Sequence, residues 1–102
     1  MNILFVCTMA RLRSKTAAHC LQSITNPCDY GGLDSKADKP ITKDMVERAD
    51  VIVCMEIGHR TKLRRRFKGI SHKMQVWAIP DDYEYMDNTL VTILNGKAEE
   101  LL

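Results

Sequence analysis

Three short apolar runs constrain this chain most: residues 2–7 (NILFVC), 51–55 (VIVCM) and 74–79 (MQVWAI). They lack the strict polar alternation of a half-exposed strand and suit strands buried on both faces, the usual composition of a parallel sheet. Parallel neighbours need long crossover connections, and the sequence between the runs supplies helical ones.

After the first run, Ala17, Leu21 and Ile24 recur at helical spacing from Ser14 onward, and Asn26-Pro27 stops the pattern. Residues 28–40 hold Gly31-Gly32, Asp29, Asp34, Ser35 and Pro40, and read as loop with a short strand over 30–33. Thr42 is placed to cap a helix carrying Met45, Val46 and Ala49, with Asp44 in its first turn, where negative charge is favoured. Residues 58–67 predict a basic helix with Leu63 and Phe67 on one face. Leu90, Val91, Ile93, Leu94, Ala98 and Leu101 mark a last amphipathic helix, weakened at Gly96. The strand-helix alternation predicts a single-domain, three-layer α/β sandwich with a four-stranded parallel sheet and right-handed crossovers. Ligands of such sheets bind beyond the strand C-termini, here just after Cys7, Met55 and Ile79.

A length of 102 residues fits one domain over 1–102, and 45% hydrophobic against 27% charged residues predicts a packed core rather than disorder. No apolar run approaches the roughly 20 residues of a membrane span, so no membrane association is expected. The N-terminus has neither a basic leader nor a small-residue cleavage site, which predicts a cytoplasmic protein. Cys7, Cys20, Cys28 and Cys54 lack Cys-x-x-Cys spacing and are expected as free thiols, with no metal site. A net charge of +2 points to no partner by itself.

Cys7 closes the first strand, five residues follow, and Arg13-Ser14 open a helix. A loop of this length at a helix N-terminus can turn successive backbone N–H groups inward as an anion-binding nest, reinforced by the helix dipole. Thr8, Met9, Ala10, Arg11, Leu12 and Arg13 would supply it. The same field stabilises a thiolate, which makes Cys7 a candidate nucleophile. Arg13 is suited to grip two phosphate oxygens and Ser14 to donate a hydrogen bond to the sulfur. Taken alone, a cysteine there is also a common small core residue.

Ile79-Pro80-Asp81-Asp82-Tyr83 falls at another strand end, on the same sheet edge as Cys7. Cysteine phosphatase chemistry needs a carboxylic acid to protonate the leaving alkoxide and then, as carboxylate, to activate water against the phosphocysteine. Asp81 or Asp82 fits that role; an acidic turn after proline is the plainer reading.

These segments carry a resemblance. Residues 2–7 with Arg13-Ser14, then 49–56 (ADVIVCME), then Ile79-Pro80-Asp81 followed by Tyr83, resemble the low-molecular-weight protein tyrosine phosphatases in the same order over most of the chain. The likeness is nearest to a short bacterial branch with a similar His-Arg-x-x-Leu-Arg-x-Arg-Phe helix and a Pro-Asp-Asp-Tyr-Glu segment. The resemblance implies Cys7 as nucleophile, Arg13 as phosphate-binding arginine, Ser14 as the hydroxyl that stabilises the thiolate and Asp81 as general acid. It also marks departures. Met9 and Ala10 stand where the family loop usually has Gly and Asn, Leu12 where many members have a second cysteine, and Asp82 where an Asp-Pro pair is usual. The middle of the chain is shorter than in the typical family.

Residues 60–68 form a basic cluster for which a solvated helix face is favoured over contact with RNA or an acidic partner. His19, His59 and His72 lack metal spacing and are expected on the surface. Cys20, Cys28 and Cys54 read as structural thiols; the rival is a resolving cysteine for oxidised Cys7, as in arsenate reductases that resemble this fold. Tyr83, Tyr85 and Asp82 are candidates for the wall of the site.

The expected function is hydrolysis of phosphotyrosine-like monoesters through a phosphocysteine on Cys7, with a phosphorylated protein or a small aryl phosphate as substrate. No cofactor, metal or nucleic acid is expected. The rivals are a thiol-dependent arsenate reductase, a phosphocysteine carrier, against which Arg13 argues, and an inactive phosphate- or RNA-binding module.

Overall fold

The computed structural model describes residues 2–21, 28–80 and 82–101. Their elements are β1 (Ile3–Cys7), α1 (Arg13–Leu21), β2 (Cys28–Gly32), α2 (Lys43–Arg48), β3 (Val51–Cys54), α3 (Ile57–Arg66), a 3-10 turn (Ser71–Lys73), β4 (Met74–Val76) and α4 (Asn88–Leu101). The strands pair in parallel in the order β2-β1-β3-β4. This is the four-stranded parallel α/β sandwich that the apolar runs predict.

Side chains of a strand alternate between the two faces of its sheet, so the continuous apolar run of β1 feeds two cores at once. Ile3, Phe5 and Cys7 join Ala17, Ala18 and Leu21 of α1 and Leu90, Leu94 and Ala98 of α4. Leu4 and Val6 join Met45 and Val46 of α2 and Leu63 of α3 on the opposite face. Phe5 is fully buried and meets Trp77 edge to face at 5.6 Å between ring centroids. Burial of one such side chain contributes about 1.5–3 kcal/mol.

The differences from the sequence reading are local. The strand expected over 74–79 ends at Val76, because Ala78 takes a left-handed backbone (φ 52) that breaks the ladder. Trp77 and Ile79 still donate to the Cys54 and Met55 carbonyls over 2.9 Å, so the segment continues to run beside β3. The second strand spans Cys28–Gly32 rather than 30–33, despite its glycines. Thr42 caps α2 as expected, its hydroxyl accepting the Met45 N–H at 3.2 Å. Ile24 and the Asn26-Pro27 stop lie outside the described residues. Gly96 sits within α4 without interrupting it. No helix among the described residues is long and apolar enough to cross a membrane.

The chain leaves β1 toward β2 on one side and returns to β3 on the other. The crevice at the C-terminal end of β1 is therefore the topological switch point, where open parallel sheets bind ligands. Cys7 ends β1.

Candidate active site around Cys7

The loop between β1 and α1 is shaped by what holds its carbonyls. The carbonyl of Val6 accepts from the Met55 N–H, and those of Cys7, Thr8 and Met9 accept from Leu33, Asp34 and Asp38, each at 3.0 Å. In a planar trans peptide the N–H points opposite to the C=O. Tying three successive carbonyls to the segment after β2 thus turns the N–H groups of Thr8, Met9 and Ala10 the other way. The Ala10 N–H reaches the Cys7 Sγ at 3.2 Å. The Ser14 Oγ lies 2.9 Å from the same sulfur, which is 4% exposed as a residue. The sulfur thus has an amide donor and a hydroxyl beside it.

This curvature requires Ala10 to adopt φ 59, a left-handed conformation that costs a non-glycine residue about 1–2 kcal/mol. The ring of loop bonds, with Arg11 Nε donating to Asp38 Oδ1 at 3.1 Å, holds it. Gly32 makes the close approach possible. A Cβ there would lie 2.6 Å from the Thr8 carbonyl oxygen and 2.5 Å from the Ala37 Cβ.

Arg13 opens α1 and is 3% exposed. Its Nη1 donates to Glu56 Oε2 at 2.6 Å and to the Ile79 carbonyl at 2.8 Å. The guanidinium is therefore fixed from the ends of β3 and of the segment after β4. The hydrogen bond from Arg13, opposed by desolvation and aided by the Arg13 charge, holds the Glu56 carboxyl below the usual range.

His59 corrects the expectation of a surface histidine: it is 5% exposed. Its Nδ1 accepts the Glu56 N–H at 3.1 Å, which places the proton of the neutral ring on Nε2. Nε2 stands 3.0 Å from Thr8 Oγ1, to which it donates, and 3.8 Å from Glu56 Oε2. His59 thereby satisfies an N–H at the start of α3 and holds the loop. Glu56, His59 and Gly32 are the participants that sequence reasoning passed over. The available signal was an acidic residue closing a buried strand with a polar residue three positions on, the spacing of a capping box.

Cys7, Thr8, Met9, Arg11, Leu12 and Arg13 line a cavity of about 260 Å³. Asp82 and Tyr83 do not line it: Asp82 is exposed, and Tyr83 packs half-buried against the core shared by α1 and α4. The Tyr85 hydroxyl is 2.6 Å from His19 Nδ1, and Lys15 lies over the Tyr85 ring. Asp81 lies outside the described residues. Burial pushes the Cys54 thiol up to about 12 and raises that of the half-buried Cys20. Among the described residues no group of three His, Cys, Asp or Glu side chains is arranged to hold a metal ion.

A loop of inward amides beneath a buried cysteine, with an arginine at its far end, opening the first helix of a parallel α/β sheet, is the arrangement of the low-molecular-weight protein tyrosine phosphatase fold, and this chain has that fold. The low-molecular-weight tyrosine phosphatase SP-PTP of Streptococcus pyogenes superposes with a TM-score of 0.82 at 16% identity, covering 99% of this chain and 90% of that one. The tyrosine phosphatase Wzb of Escherichia coli K30, solved with phosphate, gives 0.77 at 18% identity over 98% and 94% of the two chains. The YwlE arginine phosphatase of Geobacillus stearothermophilus gives 0.74 at 20% identity over 98% and 92%. No protein-family model matches the sequence, and no curated protein matches it.

Proposed function

We propose that residues 1–102 form one low-molecular-weight phosphatase-like domain that hydrolyses phosphotyrosine-like monoesters through a phosphocysteine. The observation that carries this reading is the Cys7 sulfur, which accepts the Ala10 amide at 3.2 Å and stands 2.9 Å from the Ser14 hydroxyl at the base of the loop.

In the proposed reaction the loop amides and Arg13 hold the three non-bridging phosphate oxygens, and the Cys7 thiolate attacks phosphorus opposite the leaving oxygen. The S–P bond forms as the P–O bond breaks, and the leaving oxygen takes a proton from Asp81. The Asp81 carboxylate then takes a proton from water as that water attacks the phosphocysteine. Inorganic phosphate leaves, and Cys7 returns as thiolate with Ser14 hydrogen-bonded to it. Asp81 and the substrate-wall roles of Asp82 and Tyr83 rest on the sequence alone. The tethering of Arg13 by Glu56 and Ile79 supports its part, because a pre-positioned fork spends less binding energy on ordering itself.

A thiol-dependent arsenate reductase needs a second reactive thiol. The full burial of Cys54 and the raised Cys20 argue against those two thiols in that role. The test is para-nitrophenyl phosphate hydrolysis by the wild type beside Cys7→Ser and Arg13→Lys. Turnover lost in Cys7→Ser and reduced at least about 100-fold in Arg13→Lys, both folded, supports the proposal. Undiminished turnover in Cys7→Ser removes it.

A further inference from the structure

Residues 60–68 hold six cations, Arg60, Lys62, Arg64, Arg65, Arg66 and Lys68, and no acid. The chain has fifteen Lys and Arg against thirteen Asp and Glu, so the remainder carries nine cations against thirteen acids. A nearly neutral protein is thus an acidic body with one strongly basic helix.

Elsewhere four surface cations find carboxylates, while the exposed Lys36 is in no ion pair among the described residues. Arg11 pairs with Asp38, Lys39 with Asp29, Lys43 with Glu47 and Arg48 with Asp44. None of the six on and just after α3 is in an ion pair among the described residues. Arg60 and Arg64, and Lys62 and Arg66, stand four residues apart, where like charges repel along a helix. Among the described residues Arg66 is the one of the six whose side chain has a hydrogen bond, Nη1 donating to the Leu33 carbonyl at 3.2 Å.

That contact places the helix. Its first turn is fastened to the loop by His59 on Thr8. Its last turn is fastened by Arg66 to Leu33, whose own N–H donates to the Cys7 carbonyl. The first turn of the helix therefore lies against the Cys7 loop, and its cations lead away from that point.

We propose that α3 docks an acidic polypeptide segment adjoining the phosphorylated residue of the substrate; the substrate part of this rests on the phosphatase reading above. Carboxylates match the arginine forks, which bind them with two parallel hydrogen bonds. A helix of ten residues is about 15 Å long, the reach of four or five residues of extended chain. Nucleic acid is the poorer match. The single aromatic of the segment, Phe67, is half-buried against the core and has the Arg66 guanidinium over its ring, which leaves no platform for base stacking.

The test compares phosphotyrosine peptides bearing four glutamates or four glutamines beside the phosphoresidue, with the wild type and with Arg64→Glu/Arg65→Glu. A carboxylate at 64 lies one helical turn from Arg60, so the variant relieves repulsion there and keeps its fold. The proposal predicts about a tenfold higher kcat/KM for the glutamate peptide, lost in the variant and in high salt, with para-nitrophenyl phosphate turnover unchanged. Equal kcat/KM for the two peptides overturns it. Fluorescence anisotropy with an unphosphorylated, labelled tetraglutamate peptide separates docking from catalysis. Binding by the wild type and not the variant, in a protein inactive on para-nitrophenyl phosphate, sustains the docking surface while removing the phosphatase reading. Binding of a single-stranded oligonucleotide of equal charge at physiological salt, with none of the acidic peptide, overturns the proposal in favour of nucleic acid.

Discussion

His59 Nε2 donates to Thr8 Oγ1 across 3.0 Å, joining the first turn of α3 to the loop that follows Cys7. The same ring accepts the Glu56 N–H, and the Glu56 carboxylate in turn receives Arg13. One buried imidazole thus stands between the two ends of the loop that follows Cys7.

Replacing it breaks that link. His59→Phe leaves the Glu56 N–H and the Thr8 hydroxyl without their imidazole partner, which should cost about 1–3 kcal/mol in urea unfolding. The loosened loop should also raise KM for para-nitrophenyl phosphate more than it lowers kcat. A KM equal to that of the wild type would assign His59 a purely structural role.

The Glu56–Arg13 pair sets a pH dependence. The Glu56 carboxyl is lowered in the folded state, so its contribution to stability is fully present above its unfolded value of about 4.5 and is lost as pH falls through the folded value. Half of the side chain is exposed, so solvent screens the effect and keeps it small. The Tm of the wild type should therefore fall more than that of Glu56→Gln between pH 5 and pH 3. Parallel curves would show that the pair contributes nothing to folding.

Gly32→Ala tests the contact between β2 and the loop. The added Cβ meets backbone at 2.6 Å, and backbone cannot rotate away as a flexible side chain can. Overpacking of this kind typically costs about 1–3 kcal/mol, and here it should also weaken competitive inhibition by inorganic phosphate. Unchanged stability and inhibition would mean that the loop does not depend on this approach.

The acid assignment is read from leaving groups. Asp81→Asn should slow phosphoryl transfer from esters with poor leaving groups about 100- to 10,000-fold while sparing the first-turnover burst of para-nitrophenol, whose release needs little protonation. Asp82→Asn should cost far less. A reversed order would move the role to Asp82.

The fold was legible because burial on both faces leaves a plain trace: residues 3–7 and 51–54 are continuous apolar runs that became the two central strands. The second strand was blurred by Gly31 and Gly32, whose small size answers to Ile41, Ala37 and the Thr8 carbonyl, contacts distant in sequence. Ile79 was read as strand because its apolar character persists past the left-handed Ala78. At the site, the spacing from Cys7 through Arg13 to Ser14 was local and therefore visible. The placement of His59 was not, since a lone histidine among Gly58 and Arg60 looks solvated until the fold brings Thr8 to it from 51 residues away.

Hydrolysis by the proposed route passes through a covalent bond from phosphorus to the Cys7 sulfur. Rapid quenching in acid after mixing with para-nitrophenyl phosphate, followed by intact-protein and peptide mass measurement, reads it directly. The account predicts a transient gain of one phosphoryl group on the peptide containing Cys7, prolonged in Asp81→Asn and absent in Cys7→Ala along with all turnover. Hydrolysis that continues in Cys7→Ala, or a phosphoryl group found on any other residue, would contradict it.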